Sequence, residues 1–287
     1  MSDPTLNPSP STEELDVYGV SHTGKVRKEN QDRFLLATIH KRVEVVSSNL
    51  EAEERLPQGE QRLAYLAMVA DGVGGGTGGS EASATTLETV MQYVNDSLLV
   101  YYGARADEGE FTEVLQSAAM RAHEEVKRRR AEQGIVGTMA TTLTLFIGVW
   151  PAYYLLQLGD SRYYVYREGR LRQVTRDQTM AQDLVDEGVL TRAAAAKTPM
   201  ANVLSSAIGA DSTHPVVTRL QANRANVHLM CSDGLTRHVS DERISQVLGS
   251  MTSSKQAADQ LLQEALDAGG TDNITIIVGR AIPRPDA

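Results

Sequence analysis

The chain has 287 residues, and its hydrophobic fraction of 41% is large enough to build one large or two small cores. Its net charge of −9 argues against a broad electrostatic surface for nucleic acid or for an anionic membrane. Cys231 is the single cysteine, which excludes an intramolecular disulfide, and its place in an apolar stretch predicts a buried side chain and not a nucleophile. No apolar run approaches the roughly 20 residues of a membrane span, and no signal-peptide pattern is present, so we expect a soluble cytoplasmic protein.

The N-terminal third of the chain predicts a tail followed by strands. Residues 1–14 are rich in Pro, Ser and acidic residues, which predicts a disordered tail, and a single folded domain is expected over residues 15–281. Strands are predicted at residues 15–22, 33–39 and 63–70, with an exposed hairpin loop at residues 51–62.

Helices and strands then arrive in separate runs. Two amphipathic helices are predicted at about 79–102 and 110–132, before strands at 139–150, 152–159, 162–168 and 170–175. Short helices and loops at 177–213 precede a strand at 226–232, two helices between 240 and 268, and a last strand at 273–280. Runs of strands separated by pairs of helices predict an α+β fold with antiparallel sheets.

The glycine-rich loop at residues 69–83, VADGVGGGTGGSEAS, can be interpreted in two ways. Gly74, Gly76 and Gly79 fit the G-x-G-x-x-G pattern of a dinucleotide-binding loop. Asp71, however, places a carboxylate at the mouth of the loop, which favours a divalent cation over a pyrophosphate. No second parallel strand with a ribose-binding acid follows, so a dinucleotide-binding oxidoreductase is the weaker hypothesis.

Aspartates recur at the ends of apolar strands. Asp71, Asp160 and Asp233 each follow such a strand, whereas Asp32 and Asp272 each precede one. Each motif alone could be a simple turn. In antiparallel sheets, however, the start of one strand lies beside the end of its neighbour, so these carboxylates could converge. Such a cluster needs a counter-charge, and an oxygen-only ligand set favours Mg²⁺ or Mn²⁺.

The ordered motifs resemble those of the metal-dependent protein serine/threonine phosphatases of the type 2C family, especially the bacterial single-domain members. The resemblance covers about residues 15–280 and rests on VRKENQDRF, VADGVGG, GTMATTLTLF, LGDSRYYVYR, TRDQT, LMCSDGLT and TDNITIIV. It implies a four-layer α-β-β-α sandwich, in which two central antiparallel sheets are flanked by helix pairs. A centre of two Mn²⁺ or Mg²⁺ ions is implied at one end.

The resemblance also implies the metal ligands. Asp71 matches the ligand that bridges two metals, and Gly72 matches the residue whose main-chain carbonyl binds one of them. Asp233 and Asp272 match ligands of the first metal. Asp160 matches a ligand of a third, weaker metal that is shared with Asp233.

Further residues are matched to catalytic and structural roles. Asp32 matches the aspartate that supports the centre through water, and Arg27 matches the arginine that binds the substrate phosphate. Thr138 and Thr141 match a structural motif. The implied reaction is hydrolysis of phosphoserine and phosphothreonine by a water that two metals activate, without a phosphoenzyme.

Three departures from the family pattern alter what the resemblance implies. Val73 stands where some members have a histidine proposed as general acid, and Gln31 stands where others have a glutamate. Arg237 stands where many have an aspartate that assists the third metal, so we expect weaker binding of that metal. Residues 177–213 match the flap at the substrate entrance.

Two hypotheses about activity therefore stand beside the oxidoreductase. The first is an active, monomeric phosphatase whose partners are phosphoserine and phosphothreonine proteins, among them a cognate Ser/Thr kinase and its substrates. The alternative is a catalytically weak relative that binds phosphoproteins or regulates a kinase. The intact acidic set favours the first hypothesis, because a domain that only binds does not need so many like charges together.

Overall fold

The computed structural model describes residues 9–43, 45, 59–75, 77–104 and 108–282. The strands are β1 (Leu15–His22), β2 (Arg33–Val43), β3 (Gly59–Ala70), β4 (Gly72–Val73), β5 (Ala140–Thr141), β6 (Leu143–Val149), β7 (Ala152–Leu158), β8 (Arg162–Arg167), β9 (Arg170–Gln173), β10 (Val216–Gln221), β11 (Val227–Cys231) and β12 (Ile274–Ala281). The helices are α1 (Gly78–Ala104), α2 (Glu108–Glu132), α3 (Met180–Asp186), α4 (Arg192–Ala195), α5 (Asp233–Thr236), α6 (Asp241–Ser250) and α7 (Ser254–Asp267), with a 3₁₀ helix at Pro199–Asn202.

Most of the strands form two antiparallel sheets. Sheet I has the strand order β1-β12-β11-β8-β9, and sheet II has the order β10-β7-β6-β3-β2. Every pairing between neighbouring strands of the two sheets is antiparallel. A dinucleotide fold needs parallel strands on both sides of its glycine loop, so this topology does not support the oxidoreductase hypothesis.

The side chains of strand β3 show how the layers form. Leu66 and Met68 belong to the apolar cluster that joins sheet II to helices α1 and α2, whereas Ala67 and Val69 belong to the cluster between the two sheets. This division follows from the alternation of side chains along a strand. The part of β3 from Leu63 to Ala70 is therefore covered on both faces, and its residues are apolar on both faces.

Three apolar clusters hold the layers together. One packs sheet II against α1 and α2, a second packs sheet I against α6 and α7, and the third lies between the sheets. Within the first cluster the rings of Phe111 and Tyr154 meet edge to face, with centroids 4.6 Å apart. The predicted four-layer α-β-β-α sandwich is therefore confirmed.

Serine residues fix where the two C-terminal helices begin. The Ser240 hydroxyl accepts a hydrogen bond from the Arg243 amide at the start of α6, and the Ser253 hydroxyl accepts one from the Gln256 amide at the start of α7. Such N-caps satisfy amides that have no partner within the helix. The two helices thus begin at defined residues and place their apolar faces on sheet I.

The antiparallel pairing gathers strand ends at one edge of the sandwich. In sheet II the first residue of β2, Arg33, pairs with the last residue of β3, Ala70. In sheet I the last residue of β11, Cys231, pairs with Ile276 near the start of β12. The loops that carry the predicted aspartates therefore leave the two sheets on the same side.

Several elements differ from the predicted ones. Strand β10 was not predicted; it pairs only with β7 at the edge of sheet II, and its side chains stay exposed or half-buried. Residues 59–62 of the predicted hairpin loop extend β3, whereas residues 51–58 lie outside the described residues. No helix in the described part of the chain combines the length and the apolar character that crossing a membrane requires.

The last part of the predicted tail has defined contacts. The Glu14 carboxylate pairs with Arg224 at 2.6 Å, and the Glu14 carbonyl accepts a hydrogen bond from the Ile282 amide at 2.8 Å. Arg62 donates to the Pro10 carbonyl. Residues 9–14 thus pack on the sandwich because Glu14 and Pro10 have specific partners, and residues 1–8 of the predicted tail lie outside the described residues.

Candidate metal centre

A cleft of about 970 Å³ opens at the edge where the aspartate loops meet. Nearly all of the predicted site residues line it: Arg27, Asp71, Gly72, Asp160, Asp233 and Asp272. Asp32, the remaining one, is 2% exposed and lies behind the wall of the cleft, where it contacts Ser232, next to Asp233, and Thr275 in β12. The side chains come from both sheets, so neither sheet alone could form this cleft.

Asp71 leaves the end of β3 and is fixed through its backbone. Its amide donates to the Thr142 hydroxyl at 2.9 Å, and its carbonyl accepts from the Thr141 hydroxyl at 2.8 Å. Burial raises the pKa of the Asp71 carboxyl well above its usual range, and Asp32, Asp233, Asp160 and Asp272 raise it further. Asp71 therefore lies in the field of every other predicted acidic ligand.

Gly72 is a glycine because other backbone segments approach it closely. A Cβ at this position would overlap the Gly79 carbonyl and would lie 2.7 Å from the Gln31 carbonyl oxygen. Gly72 forms strand β4, which pairs with Thr141 of β5. The glycine loop thus folds against the start of α1 and leaves the Gly72 backbone at the cleft wall.

Asp32 is held by two hydroxyl groups and keeps one oxygen without a partner. Ser232 and Thr275 donate to Asp32 Oδ2 at 2.7 Å and 2.8 Å. Its Oδ1 is buried and has no hydrogen-bond partner among the described residues. Burial raises the pKa of Asp32 to about 6, although the two hydroxyl groups lower it.

The pKa values of Asp233 and Asp160 are also raised, and burial is again the largest cause. Burial raises the pKa of Asp233, and Arg237 opposes the shift. Burial and then Asp233 raise the pKa of Asp160 to about 7. Asp233 Oδ1 is a second buried oxygen without a hydrogen-bond partner among the described residues. Buried carboxylates of this kind hold their negative charges only if cations neutralise them.

Two arginines supply part of that positive charge. Arg27 donates to both oxygens of Asp272, at 2.7 Å and 2.8 Å. Arg237 pairs with Asp233 Oδ2 and lies 3.2 Å from Asp272 Oδ2. Arg237 was predicted to disfavour only a third metal near Asp160, but its direct partners are two of the predicted first-metal ligands.

The donors at the cleft are of the chemical type that a divalent cation requires, but their side chains are not arranged around a common point. With the side chains as they stand, no three or more His, Cys, Asp or Glu residues of the described part of the chain are arranged to hold a metal ion. The chemistry nevertheless fits, because the donors are oxygens and because Asp32 Oδ1 and Asp233 Oδ1 are buried without partners. A cation that binds Asp233 Oδ2 has to displace Arg237, and one that binds Asp272 also has to displace Arg27 from an oxygen of that carboxylate.

The sequence analysis did not identify Asn273 as a site residue. Asn273 is 6% exposed; its side-chain amide donates to the carbonyls of Thr23 and Glu29 at 2.8 Å and 2.9 Å, and its Oδ1 accepts from the Gln31 amide at 2.8 Å. It thereby fixes the loop that carries Arg27. The signal was the Asp-Asn pair in TDNITIIV, of which only Asp272 was assigned a role.

The predicted flap borders the entrance of the cleft. Residues 177–213 contain α3, α4 and the 3₁₀ helix, and the residues of this segment that line the cleft are Asn202, Val203, Leu204, Ala207 and Ala210. The amide and carbonyl of Ile208 hydrogen-bond with Thr141, each at 2.9 Å, next to Asp71. The C-terminal part of the segment is therefore hydrogen-bonded to Thr141, whose hydroxyl donates to the Asp71 carbonyl.

The chain is similar to known serine/threonine phosphatases. The serine/threonine protein phosphatase PstP of Mycobacterium tuberculosis is 31% identical over 219 residues, which are 76% of this chain and 41% of PstP. The match thus spans about two fifths of the length of that relative. The serine/threonine phosphatase stp of Listeria monocytogenes is 28% identical over 214 residues, which are 74% of this chain and 83% of stp.

Solved structures with the same fold include two of PstP. A crystal structure of M. tuberculosis PstP/Ppp superposes with a TM-score of 0.74 at 28% identity and covers 94% of this chain and 99% of that one. The PstP catalytic domain in complex with 2 manganese ions superposes with a TM-score of 0.71 at 27% identity and covers the same shares. A family model described as Protein phosphatase 2C matches residues 55–268, and the chain therefore belongs to the Protein phosphatase 2C family.

Proposed function

We propose that this chain hydrolyses phosphoserine and phosphothreonine in proteins with the help of divalent cations, and that residues 15–281 form its single phosphatase domain. One observation carries the proposal. Five aspartates from distant parts of the chain are electrostatically coupled at one cleft, and two of their buried oxygens have no hydrogen-bond partner among the described residues. Family membership supports the same activity.

The residues that would hold two Mn²⁺ or Mg²⁺ ions are Asp71, the Gly72 carbonyl, Asp233 and Asp272, with Asp32 in support. When bound, such ions supply the nucleophile, because they make water acidic enough to ionise near neutral pH. The PstP catalytic domain was crystallised with 2 manganese ions, which supports the same choice of metal here. We expect a third ion near Asp160 to bind more weakly, since Arg237 contributes positive charge there.

Arg27 orients the substrate in this proposal. Its planar fork already binds a carboxylate through two parallel hydrogen bonds, at Asp272, and a phosphate monoester presents the same pattern of oxygens. Arg27 has to exchange Asp272 for the phosphate. The exchange is possible because 55% of the Arg27 side chain is exposed.

The described lining of the cleft offers no histidine as general acid. Val73 lines it where some relatives have one, so protonation of the leaving alkoxide falls to water. Cys231 is fully buried, and burial raises the pKa of its thiol to about 12. A cysteine-based mechanism with a phosphoenzyme is therefore disfavoured.

The partners follow from the reaction class. The named relatives are serine/threonine phosphatases, so phosphoserine and phosphothreonine proteins are the substrates that we propose for this chain. A Ser/Thr kinase that phosphorylates the same proteins would be the functional counterpart. We further propose that the phosphatase domain acts as a monomer in the cytoplasm.

Hydrolysis of a phosphothreonine peptide by the chelator-treated protein, with and without added Mn²⁺, tests the proposal. We expect phosphate release only with Mn²⁺, and no such release by the Asp233→Asn variant. Release that is insensitive to chelators, or equal in the variant, would contradict it.

The alternative is a catalytically weak relative that binds phosphoproteins. A specific observation favours it: Arg27 and Arg237 already neutralise Asp272 and Asp233. A folded protein that binds Mn²⁺ by calorimetry and captures the phosphopeptide without releasing phosphate would support the alternative.

A further inference from the structure

A second cavity lies between the two sheets at the end of the sandwich opposite the aspartate cleft. Its volume is about 280 Å³. It is bordered by the start of β1, the end of β12, the start of β3 and the turn between β6 and β7, none of which contributes to the cleft. The predicted function does not use this cavity.

Aromatic rings from both sheets line the cavity. Phe146 and Tyr153 come from sheet II, and Tyr163 and His228 come from sheet I. The rings of Phe146 and Tyr163 are stacked with centroids 5.8 Å apart, whereas Tyr153 meets His228 edge to face at 5.4 Å. The rings pack on one another, and the half-buried Phe146, Tyr153 and His228 supply the aromatic surface of the cavity, whereas Tyr163 is 1% exposed.

His228 gives the cavity a directed polar atom. Its Nδ1 shares a hydrogen bond of 2.7 Å with the Tyr163 hydroxyl, and within the described part of the chain its Nε2 has no hydrogen-bond partner. Burial lowers the pKa of His228 to about 4, so the imidazole is neutral near pH 7. A neutral ring with one free nitrogen can form one hydrogen bond with a guest molecule.

The charged residues near the cavity already have partners in the chain. Arg280 binds Asp16 and the Thr252 carbonyl, and Arg62 binds the Pro10 carbonyl and the Thr12 hydroxyl. The cavity reaches the surface, since exposed Ser9 and Gln61 belong to its lining. A guest can therefore enter. Because both arginines in the described lining already have partners, the cavity does not favour a charged guest.

The size of the cavity sets the size of the guest. An apolar cavity of about 150 Å³ is sufficient for benzene. A cavity of 280 Å³ therefore has room for a planar molecule of one or two rings.

We propose that this inter-sheet cavity binds a small, uncharged aromatic molecule whose single hydroxyl or comparable group hydrogen-bonds to His228 Nε2. The rings of Phe146 and Tyr153 contact the guest, and the Tyr163 hydroxyl fixes His228 through its Nδ1. The proposal is independent of the phosphatase reaction, because none of these residues lines the aspartate cleft.

Calorimetry with 2-naphthol as probe tests the proposal on the full chain. We expect saturable binding at one site with a Kd on the order of 0.1 mM, in view of the ligand efficiency of small molecules. Trp150, the only tryptophan of the chain, lines the cavity, so its fluorescence should change with the same midpoint. No saturable binding, or binding without a change in Trp150 fluorescence, would contradict the proposal.

Gly148→Leu is the blocking variant. The atoms nearest to a Cβ at Gly148 belong to the rings of Phe146 and Tyr153, each at 3.4 Å, so a larger side chain here should compete with a guest for the space beside these rings. We expect at least a tenfold loss of 2-naphthol binding and unchanged hydrolysis of p-nitrophenyl phosphate. Val216→Leu on the exposed face of β10 is the control and should bind normally. Equal binding by Gly148→Leu and the wild type would overturn the proposal.

His228→Phe tests the polar contact and also serves if Gly148→Leu does not fold. The wild type should bind 2-naphthol about fivefold more tightly than naphthalene, as one hydrogen bond predicts, and His228→Phe should bind the two equally. An unchanged preference in the variant would contradict the role of His228. Binding that appears only after removal of residues 1–8 would also overturn the proposal, because the chain itself would then be the occupant.

Discussion

Asp71 is the residue on which the electrostatics of the centre converge. Its carboxyl is surrounded by four other aspartates, and burial and these neighbours all raise its pKa. In the absence of metal, a neutral amide of the same shape should destabilise the folded protein less than an ionised carboxylate does. We therefore expect Asp71 to lower the stability of the metal-free protein and to be needed once metal binds.

Asp71→Asn separates these two effects. We expect metal-dependent phosphatase activity to fall at least about 100-fold, because a ligand is lost. The melting temperature of the metal-free protein should rise by about 2 °C or more, corresponding to roughly 1 kcal/mol. Scanning calorimetry and phosphate release measure the two effects. The control is Asp96→Asn on the exposed face of α1, which should behave like the wild type. Normal activity of the Asp71→Asn protein would contradict the assignment of Asp71 as a metal ligand.

Arg237 is the residue that most separates this chain from the family pattern. Its guanidinium contacts both Asp233 and Asp272, so the metal-free centre contains its own counter-charge. A metal ion at these carboxylates has to displace the guanidinium. Arg237 should therefore weaken the affinity for metal.

Arg237→Ala should bind Mn²⁺ about fivefold more tightly in calorimetric titrations, the range expected for loss of a partly exposed ion pair. The matched control is Arg243→Ala, which breaks the pair with Glu264 on helices α6 and α7 and should leave the affinity for Mn²⁺ unchanged. Weaker binding by Arg237→Ala would mean that the arginine supports the metal site.

The loop between β1 and β2 is the element that carries Arg27 and Asp32. Asn273 binds this loop at three backbone groups, those of Thr23, Glu29 and Gln31, from the first turn before β12. One buried side chain therefore sets the position of the loop relative to Asp272. Loss of these hydrogen bonds should displace Arg27 more than it displaces the acidic residues.

Asn273→Ala should raise the KM for a phosphothreonine peptide about tenfold and change kcat less, because mainly substrate binding is lost. The variant should also lose about 2–3 kcal/mol of stability, since buried polar groups lose their partners. Steady-state kinetics and urea unfolding measure these effects, with Asn226→Ala as control. A fall in kcat at constant KM would contradict the positioning role.

How accurately the sequence predicted the bounds of a strand or helix depended mainly on the burial and the length of that element. Strands β7 and β12 were placed to within one residue, because apolar residues dominate strands that lie inside a sheet. Strand β1 was placed equally well, although it lies at the edge of sheet I and its residues are half-buried or exposed. Edge strand β10 was missed, since its half-exposed residues show little apolar pattern. The four-residue helix α5 was missed because it is too short to show helical periodicity.

The sequence predicted which residues line the cleft more accurately than it predicted which of these residues bind one another. The motifs indicated which carboxylates converge, because strand ends in antiparallel sheets share an edge. They did not predict that Arg27 and Arg237 both bind Asp272, since these pairs join residues 245 and 35 positions apart in the chain. The pair of Arg237 with Asp233 was also not predicted, although these residues are only four positions apart. Such pairing depends on the side-chain geometry of the folded protein.

At the scale of the whole molecule, the acidic edge should make the metal-free protein sensitive to pH. The folded-state pKa values are about 6 for Asp32 and about 7 for Asp160, and those of Asp71 and Asp233 are also raised. A raised pKa means that the folded state binds protons more tightly than the unfolded state does. The stabilisation is complete below the unfolded-state pKa and is lost as the pH rises through the folded-state pKa.

The metal-free protein should therefore gain stability when the pH is lowered from about 8 to 6.5, by up to roughly 1.4 kcal/mol per pH unit for each carboxyl that takes up a proton. Below about pH 6.5 buried His228, whose pKa is lowered to about 4, acts in the opposite direction. Urea unfolding at several pH values measures the effect. Saturating Mn²⁺ should remove it, and a metal-free stability that is flat over this range would contradict the coupling of the carboxylates.

The most direct test of the central claim is anomalous diffraction at the manganese edge from crystals of the chain grown with Mn²⁺. The account predicts two strong peaks in the cleft, contacted by oxygens of Asp71, Gly72, Asp233 and Asp272, and an Arg237 side chain that has left Asp233. Absence of peaks there at saturating Mn²⁺, with Arg27 and Arg237 still paired to Asp272 and Asp233, would contradict it.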